Sequence, residues 1–384
     1  MTTWTLECSA CDPVRTRDAA GFPGVCEVCG APYLVRYAEL PTPEAKARLR
    51  SARWTMWRYD MWLPLGDGER PISLGEGGTP LLRTERLGSR NGFEQLWVKD
   101  EGTNPTGSFK ARGLAAAVTR AVLAGANQFV IPTAGNAGVA LAAYAARAGV
   151  QARIYAPATT PAPILHQIRA FAGELMLVDG HIGDCGIAAR LHAANTGAVD
   201  VSTLREPYRI EGKKTLGLEL AEQLGWTLPD AIVYPTGGGT GLIGMWKAFQ
   251  ELRAAGWLRG PLPRMFTVQS TGCAPVVRAF EAGAERATPW PDPETIAAGL
   301  RVPTPLGDRL MLRALRDSGG GAVAVTDEVL AAAARDLQVT EGIDASPEGG
   351  AALAGALELK RSGVLNQGER VVLFNTGAGW LYRA

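Results

Sequence analysis

Lys110 lies in the stretch Thr103-Asn104-Pro105-Thr106-Gly107-Ser108-Phe109-Lys110-Ala111-Arg112-Gly113, and its placement suits it for chemistry. Asn104-Pro105-Thr106-Gly107 reads as a turn, because Pro fixes φ and Gly permits positive φ. Ser108 is the expected cap of a helix over 109–124, which is rich in Ala, Leu and Val. Lys110 then falls in the first helical turn. That end of the helix dipole disfavours an ammonium and lowers the lysine pKa. Apolar neighbours push the same way. A neutral amine is what imine formation with an aldehyde requires. The plainer reading is a lysine on a solvated helix face, and the rest of the chain decides between them.

Four of the six cysteines are paired by spacing. Two residues separate Cys8 from Cys11 and Cys26 from Cys29, with fourteen residues between the pairs. This is the double-knuckle spacing of a zinc ribbon, in which both sulfurs of each knuckle face one ion. Disulfides or redox-active thiols are the alternatives. The start, MTTWTLECSACDP, has neither a basic n-region nor an apolar h-region, so no secretory route favours oxidation. A structural zinc held by Cys8, Cys11, Cys26 and Cys29 is expected, since four protein ligands leave no open position. Cys185 and Cys273 read as buried apolar residues.

Three further loops carry polar or permissive residues. Thr236-Gly237-Gly238-Gly239-Thr240-Gly241 exposes backbone N–H groups at the start of a helix, an arrangement that binds phosphate without a basic side chain. Gly239-Thr240-Gly241-Leu242-Ile243-Gly244 also matches GxGxxG, but residues 255–270 lack the acidic residue of a dinucleotide fingerprint. Gly212-Lys213 fails as a phosphate-binding P-loop, because Pro207 stands where its first glycine should be. Thr133-Ala134-Gly135-Asn136-Ala137-Gly138 and Asn375-Thr376-Gly377-Ala378-Gly379 each follow an apolar run.

These loops need a scaffold, and the pattern supplies one. Apolar strand-like runs at 96–99, 129–131, 152–155, 175–178, 200–202, 231–234, 265–268 and 371–374 alternate with helical stretches at 109–124, 139–148, 161–171, 183–195, 212–224, 242–255, 327–338 and 348–361. Buried strands separated by helices predict a parallel α/β architecture with ligands at the strands' carboxyl ends. We expect a ribbon over 1–36 and a helical, aromatic-rich linker over 37–74, whose Trp54, Trp57, Tyr59 and Trp62 pack on the body. Two lobes follow, over 75–215 and 216–384. At 384 residues, with Lys+Arg 39 against Asp+Glu 38, the net charge is +1. That balance gives no electrostatic case for nucleic acid or an anionic membrane. No apolar run reaches membrane-spanning length, and a cytoplasmic protein is expected.

Together, the lysine, the Asn-bearing loop, the glycine cradle and Thr376 offer what an aldehyde cofactor with one phosphate, a ring hydroxyl and a ring nitrogen would need. Asn-Pro-Thr-Gly-Ser-Phe-Lys-x-Arg-Gly, at 104–113, resembles the pyridoxal-phosphate enzymes of fold type II, the tryptophan synthase β-subunit family, and among them the threonine synthases. The likeness runs from about Gly75 to Gly379, and cysteine knuckles also precede many threonine synthase-like chains. The resemblance implies two open-sheet lobes, pyridoxal 5'-phosphate as cofactor and a small amino-acid substrate. Related enzymes are often dimers, so a homodimer is the partner to look for. The resemblance gives Lys110 the aldehyde carbon and later the protons at Cα and Cβ. Asn136 meets the ring hydroxyl, Gly237, Gly238, Gly239 and Thr240 the phosphate, and Thr376 the pyridine nitrogen. Thr133 and Gly135 sit at the substrate carboxylate. Arg209, in Tyr208-Arg209-Ile210-Glu211-Gly212-Lys213-Lys214-Thr215, meets a substrate phosphate; a surface ion-pair arginine is its alternative.

The implied reaction is conversion of O-phospho-L-homoserine and water to L-threonine and phosphate. Three departures bear on it. Ala111 replaces an Asp, Thr203 and Leu204 replace Asn and Ser six positions before the arginine, and Gly379-Trp380-Leu381-Tyr382 replaces Gly-Leu-Lys-Asp. They keep open a related β-replacement or β-elimination, such as that of cysteate synthase or threonine ammonia-lyase.

Overall fold

Strand Ala231–Pro235 is buried at all five positions, so both of its faces must be covered. In the computed structural model, which describes residues 3–383, it lies in a six-stranded sheet. The order across that sheet is 321–325, 264–270, 231–235, 370–375, 95–100 and 81–83. All neighbours are parallel except the edge pair, where Leu81–Arg83 runs against Gln95–Asp100. A second, wholly parallel sheet has the order 174–178, 151–157, 128–132 and 199–200. Helices between the strands cover these sheets, as the alternating pattern requires.

The two sheets do not divide at residue 215. Strands 81–83 and 95–100 hydrogen-bond into the sheet built from the C-terminal half. The expected division cannot show this, because a short edge strand and its long-range partner leave no local signal. Helix Tyr208–Gln223 starts four residues before the expected 212. Helices Pro275–Glu281 and Asp308–Asp317 and strand Gly321–Val325 fill the stretch after 268, for which no element was expected until 327.

Helix Tyr208–Gln223 is the central element, buried from Tyr208 through Ala221 although it carries Arg209, Glu211, Lys213, Lys214 and Glu219. It meets helix Lys110–Leu123 backbone to backbone. A Cβ on Gly212 would lie 2.1 Å from the Arg112 carbonyl oxygen, which only glycine avoids. Buried charges need partners, and two networks supply them. Arg112 bonds both oxygens of Glu101 at 2.7 Å and Glu219 Oε2 at 3.0 Å, while Lys99 donates to Glu219 Oε1 at 2.5 Å. Glu211 pairs with Lys214 at 2.7 Å and Lys247 at 2.8 Å.

The N-terminal segment forms a three-stranded antiparallel sheet of Trp4–Cys8, Thr16–Asp18 and Tyr33–Tyr37. It is not an appendage. Leu6, Tyr33 and Val35 belong to one apolar core with helices 110–123 and 136–148, and Tyr37 donates to buried Glu211 at 2.5 Å. The stretch after it holds two 3₁₀ helices, Pro43–Arg50 and Met56–Trp62. Tyr59 and Trp62 dock as expected, the latter edge-on to Trp257 at 5.1 Å. Trp54 stays 43% exposed, under the Arg58 guanidinium. Among the described residues, no helix is long and apolar enough to cross a membrane.

Candidate active site

Four loops at the carboxyl ends of parallel strands converge. They follow strands Gln95–Asp100, Gln128–Pro132, Ala231–Pro235 and Arg370–Asn375. Together they wall a cavity of about 420 Å³. Lys110, Thr133, Asn136, Thr376, Glu348 and Tyr382 are on its polar wall, and Gly237, Gly238, Gly239 and Thr240 form one end.

Lys110 is the first residue of helix Lys110–Leu123. Phe109, not Ser108, takes the capping position and makes no side-chain cap bond. Ser108 Oγ instead lies 3.4 Å from the Lys110 N–H. The turn is stitched to the C-terminal loop: Phe109 N–H donates to Thr376 O at 3.0 Å, and Ala378 N–H to Gly107 O at 2.8 Å. The lysine and Thr376 are thereby fixed to each other. Burial, and after it the charge of Arg209, pushes the Lys110 amine down to about 7, with Glu348 opposing. Burial and a specific cation thus carry the effect expected of the helix end.

The glycine loop is demanded by packing. Gly239 has φ 79°, and a Cβ there would lie 2.1 Å from Met311 Sδ. The loop opens helix Thr240–Ala254, whose first-turn N–H groups have no intrahelical acceptor. Also on the cavity wall, Asn136 opens helix Asn136–Ala148. Its Nδ2 donates to the Tyr382 hydroxyl at 3.2 Å, and its buried Oδ1 has no partner. Thr133 and Gly135 line the same wall, with Gly135 N–H donating to Thr133 Oγ1 at 3.1 Å.

Arg209 is placed differently from the other expected residues: it lies behind the cavity wall. It is fully buried, Nη1 donates to Val201 O at 2.7 Å, and Nε and Nη2 lack partners. Glu206 accepts the backbone N–H groups of Tyr208 and Arg209, which folds this loop inward. Thr203 lines the cavity, while Leu204 is buried with φ 62°, a strained conformation for leucine. Glu348 and Tyr382 were not foreseen. Glu348 carries a signal in hindsight, an acid in the first turn of helix Pro347–Arg361 before Gly349-Gly350. Tyr382 carries none beyond its unusual C-terminal setting.

The donor set fits pyridoxal phosphate. One enclosed low-pKa amine, a cradle of first-turn N–H groups, an unpaired amide oxygen and a threonine surround one cavity. The four cysteine sulfurs lie within 4.8 Å of one another, with Cys8–Cys29 and Cys11–Cys29 at 3.4 Å and Cys11–Cys26 at 3.8 Å. Tetrahedral zinc–thiolate bonds of about 2.3 Å put sulfurs about 3.8 Å apart, so these four fit a zinc ion.

Residues 72–377 match the family model described as pyridoxal-phosphate dependent enzyme. The chain is 35% identical to a threonine synthase of Methanosarcina acetivorans over 373 residues, 97% of this chain and 91% of that one. It is 34% identical to a threonine synthase of Methanocaldococcus jannaschii over 367 residues, 95% and 90% of the two chains. Among solved structures, a threonine deaminase from T.th. superposes with a TM-score of 0.67 at 27% identity, over 78% of this chain and 92% of that one. Maize serine racemase, at 24% identity and a TM-score of 0.69 over 78% and 88%, shares the fold. Sequence, fold and cavity agree: the chain belongs to the pyridoxal-phosphate dependent enzymes of fold type II, as a threonine synthase-like member.

Proposed function

We propose that this enzyme converts O-phospho-L-homoserine and water to L-threonine and inorganic phosphate. The observation that carries the reading is Lys110, the one lysine on the cavity wall among the described residues, with its amine pulled to about 7. Gly237, Gly238, Gly239 and Thr240 would hold the cofactor phosphate, Asn136 the ring oxygen and Thr376 the ring nitrogen. Pyridoxal phosphate, when bound, supplies an electron sink for a carbon that has lost its proton. A neutral hydroxyl at Thr376 leaves that sink moderate.

Lys110, as a free amine near neutrality, takes the proton at substrate Cα and then one at Cβ. Thr133, Gly135 and the first-turn N–H groups of helix Asn136–Ala148 hold the substrate carboxylate, at the end of a helix that favours anions. The bond between Cγ and the phosphate oxygen breaks, a water hydroxyl joins Cβ, and protons return at Cγ and Cα. Arg209 supplies positive field from behind the wall, where its Nε and Nη2 have no hydrogen-bond partner. The four cysteines hold one structural zinc in the same reading.

A second reading rests on the loop at Thr203 and Leu204. It offers the cavity a single hydroxyl, and the arginine stands behind the wall. This favours a smaller substrate handled by β-replacement, as in cysteate synthase, or by deamination, as in threonine ammonia-lyase. Phosphate release is followed with the loaded enzyme and O-phosphohomoserine, beside phosphoserine with sulfite, threonine and serine. Release from phosphohomoserine with threonine formed supports the first reading. Sulfite consumption or keto-acid formation without it supports the second.

A further inference from the structure

The stretch 203–209 borders the cavity in a conformation that its own residues do not explain. Leu204 is buried with φ 62°, and a leucine stays there only where its surroundings over-determine it. On the inner side those surroundings are the cavity wall. A Cβ on Gly238 would lie 2.8 Å from the Thr203 methyl carbon, and one on Gly307 would lie 2.5 Å from Leu204 Cδ1. On the outer side they are the cysteine ribbon. Phe22 packs on Tyr208 with ring centroids 5.4 Å apart, and the Tyr208 hydroxyl donates to the Ala19 carbonyl oxygen at 3.5 Å. A Cβ on Gly24 would meet the Arg205 carbonyl oxygen at 3.5 Å, an ordinary contact. Leu34 joins the apolar cluster of Leu204 and Ile210, and Tyr37 donates to Glu211 at 2.5 Å.

The ribbon therefore touches the chain on both sides of Arg209. That arginine is held to the protein by one side-chain bond, Nη1 to Val201 O at 2.7 Å, while its Nε and Nη2 have no partner. One bond does not fix a guanidinium with five donors. Its place follows the backbone of 203–209, and the pull it exerts on an anion falls with distance. Among the described residues, none of the ribbon lines the cavity, so any influence of the ribbon passes through this stretch.

We propose that ribbon loop 19–24 is a positioning element of the active site. Phe22, packed on Tyr208, holds 203–209 and with it Arg209 against the cavity, and so sets the affinity for a substrate whose side chain carries an anionic group. The inference rests on the phosphate-bearing substrate proposed above. It gives the ribbon a role at the substrate end in addition to holding metal.

The test uses the full chain loaded with pyridoxal phosphate. Phe22→Ala removes the ring contact without touching the cavity or the cysteines. The expected result is a severalfold rise in KM for O-phosphohomoserine with kcat and bound cofactor little changed, the pattern of binding lost equally from ground and transition states. Hydrogen exchange, read by mass spectrometry on peptides, should quicken in 203–209 and stay the same in 110–123. Phe22→Tyr, which keeps the ring, should restore both. If Phe22→Ala does not fold, Phe22→Leu is read in the same way, with smaller effects. Unchanged exchange in 203–209 overturns the inference whatever the kinetics. So does an unchanged KM, or a loss of kcat and cofactor that accompanies the rise, since that marks general loosening. If the wild type releases no phosphate from O-phosphohomoserine, the proposed reaction fails instead, and the exchange measurement alone decides.

Discussion

Lys110 is poised as a free amine because it is half-buried on the cavity wall, its Nζ facing the Phe109 ring at 4.4 Å rather than a paired carboxylate. Burial and Arg209 lower its pKa to about 7, against the pull of Glu348. The sign is direct: below about 7 the amine is protonated and cannot add to an aldehyde, and above it the amine is free. Cofactor-free enzyme mixed with pyridoxal phosphate should therefore load about tenfold more slowly for each pH unit below 7, with a plateau above, when followed by absorbance. A rate still climbing steeply between pH 8 and 10 would indicate an ordinary lysine. The amine was legible in the sequence because a Pro-Gly turn, a serine and an Ala-rich run are all local. Asn136, Thr376 and the glycines were legible through their loops. Glu348 and Tyr382 were not, since each acquires meaning only from a neighbour far along the chain. The position of Arg209 behind the wall depends on how loop 203–207 folds, which its residue types do not reveal.

Helix Tyr208–Gln223 holds the active lobe in register. It buries five charged side chains from Arg209 to Glu219, and its packing on helix Lys110–Leu123 sets where Lys110 sits. Arg112 is the keystone, making charged bonds to Glu101 and Glu219 with no exposure to solvent. Its replacement by Met leaves buried Glu101 without its cation and Glu219 with Lys99 alone, and one broken buried pair costs about 3–5 kcal/mol. Arg112→Met should lower unfolding free energy by that amount in urea titration and weaken cofactor retention. A loss below about 1 kcal/mol would mean that the network is dispensable. Long apolar runs made most elements readable. The start of this helix was hidden, because Tyr-Arg-Ile-Glu-Gly-Lys-Lys reads as polar and solvated when it is in fact buried. Helix Asp308–Asp317 is amphipathic, with Met311, Leu312, Ala314 and Leu315 buried, and was masked by the proline-rich stretch before it.

In the whole molecule, the parallel α/β class was plain from strand–helix alternation, but the assignment of strands to sheets was not. Strand Gln95–Asp100 pairs with Arg370–Asn375 across 275 positions of sequence, a contact no local pattern encodes. The cysteine segment shares its core with the body, and Tyr37 reaches the Glu211 network. Removing the proposed zinc should then loosen more than the ribbon. Native mass spectrometry should count one zinc per chain. Cys26→Ser should lose it, lower the Tm of the whole chain by several degrees and leave a single transition. An unchanged Tm in the metal-free variant would contradict a structural role.

The central claim is that one amine, Lys110, carries the cofactor. Borohydride reduction of the loaded enzyme followed by peptide mass spectrometry tests it most directly. The account predicts a pyridoxyl-phosphate adduct on the peptide containing Lys110 and none in Lys110→Ala. An adduct on another lysine, such as buried Lys213, or one that persists in Lys110→Ala, would contradict it.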